Sequence, residues 1–249
     1  MGIIRAIALL LIAWFLSPET AVAQEQLLQG IETATSGETE EGVGQAVRLI
    51  MMLTALSVVP AVLLLMTPFT RFVIVFSLMR QALGLQQSPP NQVLIGLSLA
   101  LSLVVMQPTV TEVNSLAIQP YMAGEMTTTE ALEVGMAPMR KFMLANVQRD
   151  DLASSLRISR IERPGSIDEI PSSVVVTSFV LSELRAAFSI AVKVYIPFLV
   201  IDIIVASVLL GMGMMMLPPV VISLPFKLLI FVLMDGWTLL VMGLTGGYA

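Results

Sequence analysis

The sequence predicts an all-α protein of long, kinked, apolar helical hairpins with a small helical domain between them. Three observations carry that expectation. The 249-residue chain is 56% hydrophobic and only 12% charged, against about a quarter charged in soluble globular domains. Its mean hydropathy is +0.90, which marks a membrane or membrane-assembled protein. Its apolar runs are long and interrupted by prolines, which kink or break helices.

Composition also excludes several functions. The chain has no histidine and no cysteine, so Ser-His-Asp and Cys-His nucleophilic sites, zinc or haem ligation through those residues, and disulfides are ruled out. The net charge is −5 and there is no basic run, which argues against nucleic acid. No phosphate-binding loop or dinucleotide fingerprint is present; Gly211-x-Gly213 alone is too little. No enzymatic activity, cofactor or metal is expected.

Residues 1–23 read as a cleavable signal peptide. Arg5 gives a positive start, Ala6 to Leu16 is an apolar run too short to span comfortably, and Ala21-Val22-Ala23 fits cleavage before Gln24. Residues 24–46 form a flexible acidic lead. Residues 47–106 read as a first hydrophobic hairpin that Pro60 and Pro68 kink or break, with Pro89-Pro90 closing a connector. Its second arm, residues 92–108, falls short of the ~20 apolar residues a crossing helix needs.

Residues 107–175 are richer in charge and read as a polar helical domain on the periplasmic side. Thr128 to Val147 is a helix with a Thr-x-x-Glu-type start, which Gly135 and Pro138 are expected to split. Arg157 to Pro171 is a polar loop. Residues 176–249 form a second hydrophobic hairpin, with a methionine-rich turn between its arms.

Charges sit inside these apolar runs: Glu183, Arg185, Lys193, Asp202, Lys227 and Asp235. Each would cost ~2.5–3.5 kcal/mol at a bilayer centre. The turns 81–91 and 211–225 contain no Lys or Arg, so the positive-inside rule gives little support for a simple topology. Both oddities resolve if the helices pack mostly against protein, with the charges as interfacial ion pairs. Glu183 with Lys227 is the preferred pair, and Arg71 and Arg80 are further partners for Glu183, Asp202 or Asp235. An aspartyl-protease dyad of Asp202 and Asp235 lacks the surrounding signature. A proton path through Glu183, Asp202, Lys227 and Asp235 is the stronger alternative.

The second hairpin turns through LLGMGMMMLPPVV, residues 209–221. Gly211 and Gly213 permit close backbone approach, and Pro218-Pro219 stops one helix or starts the next. Met214, Met215 and Met216 fill the connector. Neighbours on a helix lie about 100° apart, so at least one points away from the local core. If several copies form a ring, these flexible side chains make a soft apolar constriction that closes by dewetting.

Four blocks carry a resemblance: MTPFTRFVIVFSLMRQALGLQQSPPNQVLIGL (66–97), TSFVLSELRAAF (177–188), IPFLVIDIIVASVLLGMGMMMLPP (196–219) and LPFKLLIFVLMDGW (224–237). With them the chain resembles the FliP family of flagellar export-apparatus proteins and its YscR and SctR homologues in virulence type III secretion. The resemblance implies a core subunit of the flagellar export gate, at the bacterial inner membrane and flagellar basal body. The assembly would extend toward the periplasm.

It implies a pentamer-type ring with FliQ and FliR homologues, lying by the FlhA and FlhB homologues and passing unfolded flagellar substrates. It also implies that Met214, Met215 and Met216 form a gasket, and that Arg71, Glu183 and Lys227 serve inter-subunit ion pairing. A stand-alone ion-coupled transporter or channel and a virulence-injectisome homologue are the alternatives.

Overall fold

The computed structural model describes residues 40–161, 165–214 and 217–248, with the backbone alone for 40–46, 55 and 56. Every described element is helical. In chain order they are α1 (Glu40–Leu65), α2 (Phe69–Ala82), α3 (Asn91–Val113), a π-helical stretch (Asn114–Ile118), α4 (Gln119–Met122), α5 (Thr128–Asn146), α6 (Arg149–Ile158), a 3₁₀ turn (Ile167–Glu169), α7 (Ser172–Gly211), α8 (Pro219–Leu233) and α9 (Gly236–Thr245). The signal-peptide expectation, with Ala23 and Gln24, lies outside the described residues, as does most of the acidic lead.

The prolines do not act alike. α1 runs through Pro60, whereas Pro68 is the N-cap of α2. Between them the chain leaves the helix through a turn in which the Thr67 hydroxyl donates to the Leu64 carbonyl at 2.8 Å and accepts from the Phe69 amide at 3.4 Å. On α1 the side chains of Ile50, Met51, Met52, Val58 and Val59 are exposed.

Residues 62–249 form one compact unit. Within it α2 packs along α7, α3 packs on α2, and α5 and α6 lie against other stretches of α3 and α7. Two apolar cores result. One gathers Phe72, Val75, Phe76 and Met79 of α2 with Leu94, Ala187, Phe198, Phe231 and Leu244. The other joins Met106, Phe142 and Met143 to Val174, Val175 and Phe179. Each fully buried Phe or Met side chain contributes about 1.5–3 kcal/mol. Val105 and Tyr248 touch both cores.

Three expectations are corrected. The short second arm is not short: α3 passes residue 107 and Pro108 and continues through the π-helical stretch, making Asn91–Met122 a 32-residue apolar helix. α5 is not split at Gly135 or Pro138. A Cβ on Gly135 would lie 3.3 Å from the Ala117 Cβ, so the glycine serves close helix packing, and the buried Pro138 is held inside a helix supported on both sides. The hairpin expected over residues 176–249 is not two simple arms, because its second arm is broken where α8 and α9 meet at a 64° bend.

Three described helices are long and apolar enough to cross a membrane: Val47–Leu65, Asn91–Met122 and Ser172–Gly211. There are four if α8 and α9 count as one broken span.

Candidate functional site

α7 is the spine of the candidate site. It is 40 residues long, and three of its embedded charges, Glu183, Arg185 and Asp202, are each held by a different neighbour. Near its first third, Arg71 of α2 grips Glu183 with two bonds: Nε donates to Oε2 at 2.9 Å and Nη2 to Oε1 at 2.6 Å. The Tyr248 hydroxyl donates to the same Oε2 at 2.5 Å, and its ring lies 4.0 Å under the guanidinium carbon. Glu183 is wholly buried and Arg71 nearly so, so this bidentate pair with a third donor satisfies a carboxylate that water cannot reach. Tyr248 also stacks on Phe142 and meets Phe72 edge-on.

Further along, Lys227 of α8 donates to Asp202 Oδ2 at 2.6 Å and to the Ala82 carbonyl at 3.0 Å. The Ser223 hydroxyl donates to the other carboxylate oxygen, Oδ1, at 2.5 Å. Ala82 ends α2, so the ammonium also satisfies a carbonyl at the negative end of that helix dipole. A third brace ties α6 to α7. Arg185 meets Asp151 Oδ1 at 2.6 Å, while Ser182 donates to Asp151 Oδ2 at 2.8 Å and accepts from the Gln148 amide at 3.0 Å.

These pairings correct the expected Glu183–Lys227 bridge. Glu183 takes Arg71 and Lys227 takes Asp202, all within one chain. Asp202 lies nineteen residues beyond Glu183, roughly 28 Å along a helix rising about 1.5 Å per residue. A lysine level with one cannot serve the other. Nor does Arg80 reach an acid: it donates to the Pro89 carbonyl at 3.0 Å and to Asn91 Oδ1 at 2.8 Å, closing the α2–α3 connector. Asp235 is exposed at the α8–α9 bend with no ion pair among the described residues. Its backbone is left-handed, φ 49°, a region that Asp tolerates better than most residues.

The two buried clusters are therefore separate, and no described side-chain hydrogen bond joins them into a relay. Nor do Asp202 and Asp235 form a pair. Among the described residues no group of three metal-type side chains occurs.

The methionine turn begins with a specific device. The Gly213 amide donates to the Leu210 carbonyl and the Met214 amide to the Leu209 carbonyl, both at 3.0 Å, and Gly213 has φ 75°. This is the Schellman end of a helix, with glycine at the left-handed position. The expected close backbone approach at Gly211 and Gly213 is not what the glycines serve within the chain, because a Cβ on either meets nothing within 4 Å. Pro218 is the N-cap of α8 and Pro219 its first residue, so this pair starts a helix. Met214 is 39% exposed. Met215 and Met216 lie outside the described residues.

Sequence reasoning missed Tyr248, Ser223 and the Asp151–Ser182–Arg185 brace. The available signal was weak: a tyrosine near the chain end needs a hydroxyl partner once its ring is buried. A serine four residues before a lysine shares its helix face.

The sequence profile described as the FliP family matches residues 52–244. The chain belongs to the FliP family. It is 47% identical to the flagellar biosynthetic protein FliP of Bacillus subtilis over 209 residues, which cover 84% of this chain and 95% of that one. Against FliP of Caulobacter vibrioides identity is 46% over 228 residues, 92% of this chain and 84% of the relative. Against FliP of Aquifex aeolicus it is 45% over 205 residues, 82% and 86%. The matched span of the FliP family contains both buried ion pairs except Tyr248, together with the methionine turn.

Proposed function

We propose that this chain is a core, non-enzymatic subunit of the flagellar type III protein export gate. Copies assemble as a pentamer-type ring with FliQ and FliR homologues, beside FlhB and FlhA homologues. The ring passes unfolded flagellar proteins and is closed by Met214, Met215 and Met216. It sits at the bacterial inner membrane in the flagellar basal body and extends toward the periplasm. Flagellar rather than virulence export is supported by the relatives above, which are flagellar biosynthetic proteins.

One observation carries the gate reading. The longest apolar helix ends in a glycine-terminated turn that leaves Met214 exposed at its tip. A flexible thioether at that place yields around a passing chain and closes again, and an apolar ring narrow enough to shed water stops ions. The braces at Glu183 and Asp202 hold the helices that present the turn, which suits a rigid frame around a soft seal.

The test is ion conductance across membranes holding the assembled complex, wild type against Met214, Met215 and Met216 all replaced by Ala. The expected result is a leak with the ring intact. A tight membrane with normal export in the variant would move the seal to a partner chain.

A further inference from the structure

An apolar cavity of about 330 Å³ opens between α7 and the α8–α9 bend. Every residue lining it is apolar or glycine, Val194, Phe198, Phe231, Leu239 and Gly243 among them. Its size lies at the lower end of ligand pockets, about 300–1,000 Å³. It offers hydrocarbon and no side chain that could hydrogen-bond.

The charges stand at its rim. Lys193 shares a stripe of α7 with Ile190 and Pro197, which line one wall, since residues three and four apart are neighbours on a helix surface. Asp235 lies between Met234 and Gly236, which line the other wall. The register of α7 on α8 is set by Asp202 with Lys227 and by Phe198 with Phe231. Carried two residues past the end of α8 at Leu233, it brings both charges to one level of the same chain. Both are exposed, and neither makes an ion pair among the described residues.

That level has the marks of a membrane boundary. From Lys193 to the end of α7 at Gly211 is eighteen residues, roughly 27 Å at about 1.5 Å per residue, against a hydrocarbon core of ~30 Å. Past Lys193 the only charge in α7 is Asp202 and the only charge in α8 is Lys227, and these two pair with each other. The rest of that stretch exposes Leu199, Val200, Ile203, Ile204 and Val208. Tyr195 and Trp237 lie two residues from the two rim charges, 39% and 40% exposed. Tyr and Trp gather where hydrocarbon meets headgroups, and a lysine there reaches out of the apolar layer.

We infer that the cavity seats an acyl chain of a phospholipid whose headgroup carries a phosphate and a primary ammonium, with Lys193 on the phosphate and Asp235 on the ammonium. A cation and an anion at one level complement a zwitterion. A purely anionic headgroup would satisfy Lys193 and bring its charge up to Asp235. A choline headgroup has no N–H to donate to the carboxylate. The inference goes beyond the gate reading and does not depend on it.

The test uses the full-length protein purified from membranes in detergent with its partners. The probe is an equimolar mixture of phosphatidylethanolamine, phosphatidylcholine and phosphatidylglycerol with the same acyl chains, and native mass spectrometry reads what is retained. Phosphatidylethanolamine should be kept several-fold over the other two. Lys193→Gln and Asp235→Asn should each lower its retention several-fold; Asn tolerates the left-handed backbone at that position. Gly243→Leu tests the cavity with both charges in place. A Cβ there meets nothing within 4 Å, so the larger side chain fits, takes up part of the cavity and should displace the lipid.

Equal retention of the three lipids, unchanged in every variant, would overturn the site. So would phosphatidylglycerol held best and held more tightly in Asp235→Asn, the behaviour of a simple anion site. In native membranes, a photoreactive residue in place of Leu239 should crosslink to lipid. A crosslink to protein instead would make a partner chain the occupant and overturn the inference as well.

Discussion

Arg71 and Glu183, 112 residues apart in sequence, are joined by two hydrogen bonds of 2.9 and 2.6 Å in a site closed to water. The pair fixes α2 against α7, and Tyr248 brings the chain's end onto the same carboxylate. Removing one partner leaves the other charge buried and unpaired, a loss of about 3–5 kcal/mol. Arg71→Met and Glu183→Leu should each lower the unfolding temperature strongly in detergent. A double variant, Arg71→Met with Glu183→Leu, should cost less than the two single losses added. Strict additivity in that cycle would show that the pair does not act as a unit.

Tyr248→Phe isolates the third donor. It keeps the stacking on Phe142 and Phe72 but removes one hydrogen bond to a buried carboxylate, worth about 1.5–3 kcal/mol. The loss should be smaller than for Arg71→Met and should vanish in an Arg71→Met, Glu183→Leu background. Thermal unfolding of the four variants decides it.

Asp202→Asn tests the second cluster. Asn keeps a carbonyl for Ser223 but leaves the buried Lys227 ammonium with only the Ala82 carbonyl. The expected result is a destabilisation larger than that of Ser223→Ala, which removes a hydroxyl and leaves the ion pair intact. Equal losses would mean that the Lys227 charge is neutralised in some other way.

Gly236 has no room for a side chain. An added Cβ would lie 2.2 Å from Phe231 Cε2. Gly236→Ala should therefore cost about 1–3 kcal/mol or more through overpacking, and adding Phe231→Leu should recover part of it. Limited proteolysis at the α8–α9 bend reports the opening directly. An unchanged cleavage rate in Gly236→Ala would show that the ring moves aside freely.

The start of α5 predicts an acid-sensitive cap. Glu130 accepts from the Thr127 amide at 2.8 Å and from the Thr127 hydroxyl at 2.8 Å. The amide first, and then the hydroxyl, hold its carboxyl below the ordinary range. A depressed carboxylate contributes stability that is present above its unfolded pKa and lost as pH falls through the folded value. Hydrogen exchange at the first turn of α5, corrected for intrinsic rate, should rise as pH falls below 4.5, the ordinary glutamate value. Glu130→Gln should show no such rise, and Thr127→Ala should weaken the turn by about 1 kcal/mol at neutral pH and reduce the rise.

Much of this protein was readable along the chain, because helix formation and capping are local. The long apolar runs gave α7 and the all-α class, Thr-x-x-Glu gave the start of α5, and Pro218-Pro219 marked a helix boundary that the structure shows to be the start of α8. The four motif blocks gave the FliP family. Intrinsic helix breakers were less reliable: Pro60, Pro108 and Pro138 lie inside helices, although only Pro138 is buried, where packing around α5 offsets the missing hydrogen bond.

The tertiary structure alone decided which charge meets which. Sequence marks Arg71, Glu183, Asp202 and Lys227 as charges that need partners, since an unpaired charge in an apolar setting is costly. It does not give the level at which two helices cross. Pairing is a property of register: Lys227 lies beside Asp202, Arg71 lies beside Glu183, and Tyr248 arrives from the chain's end. The 64° bend at Asp235 belongs to the same class. It depends on the left-handed Asp235 and on Gly236 lying against the Phe231 ring, contacts that exist only once α8 and α9 are packed.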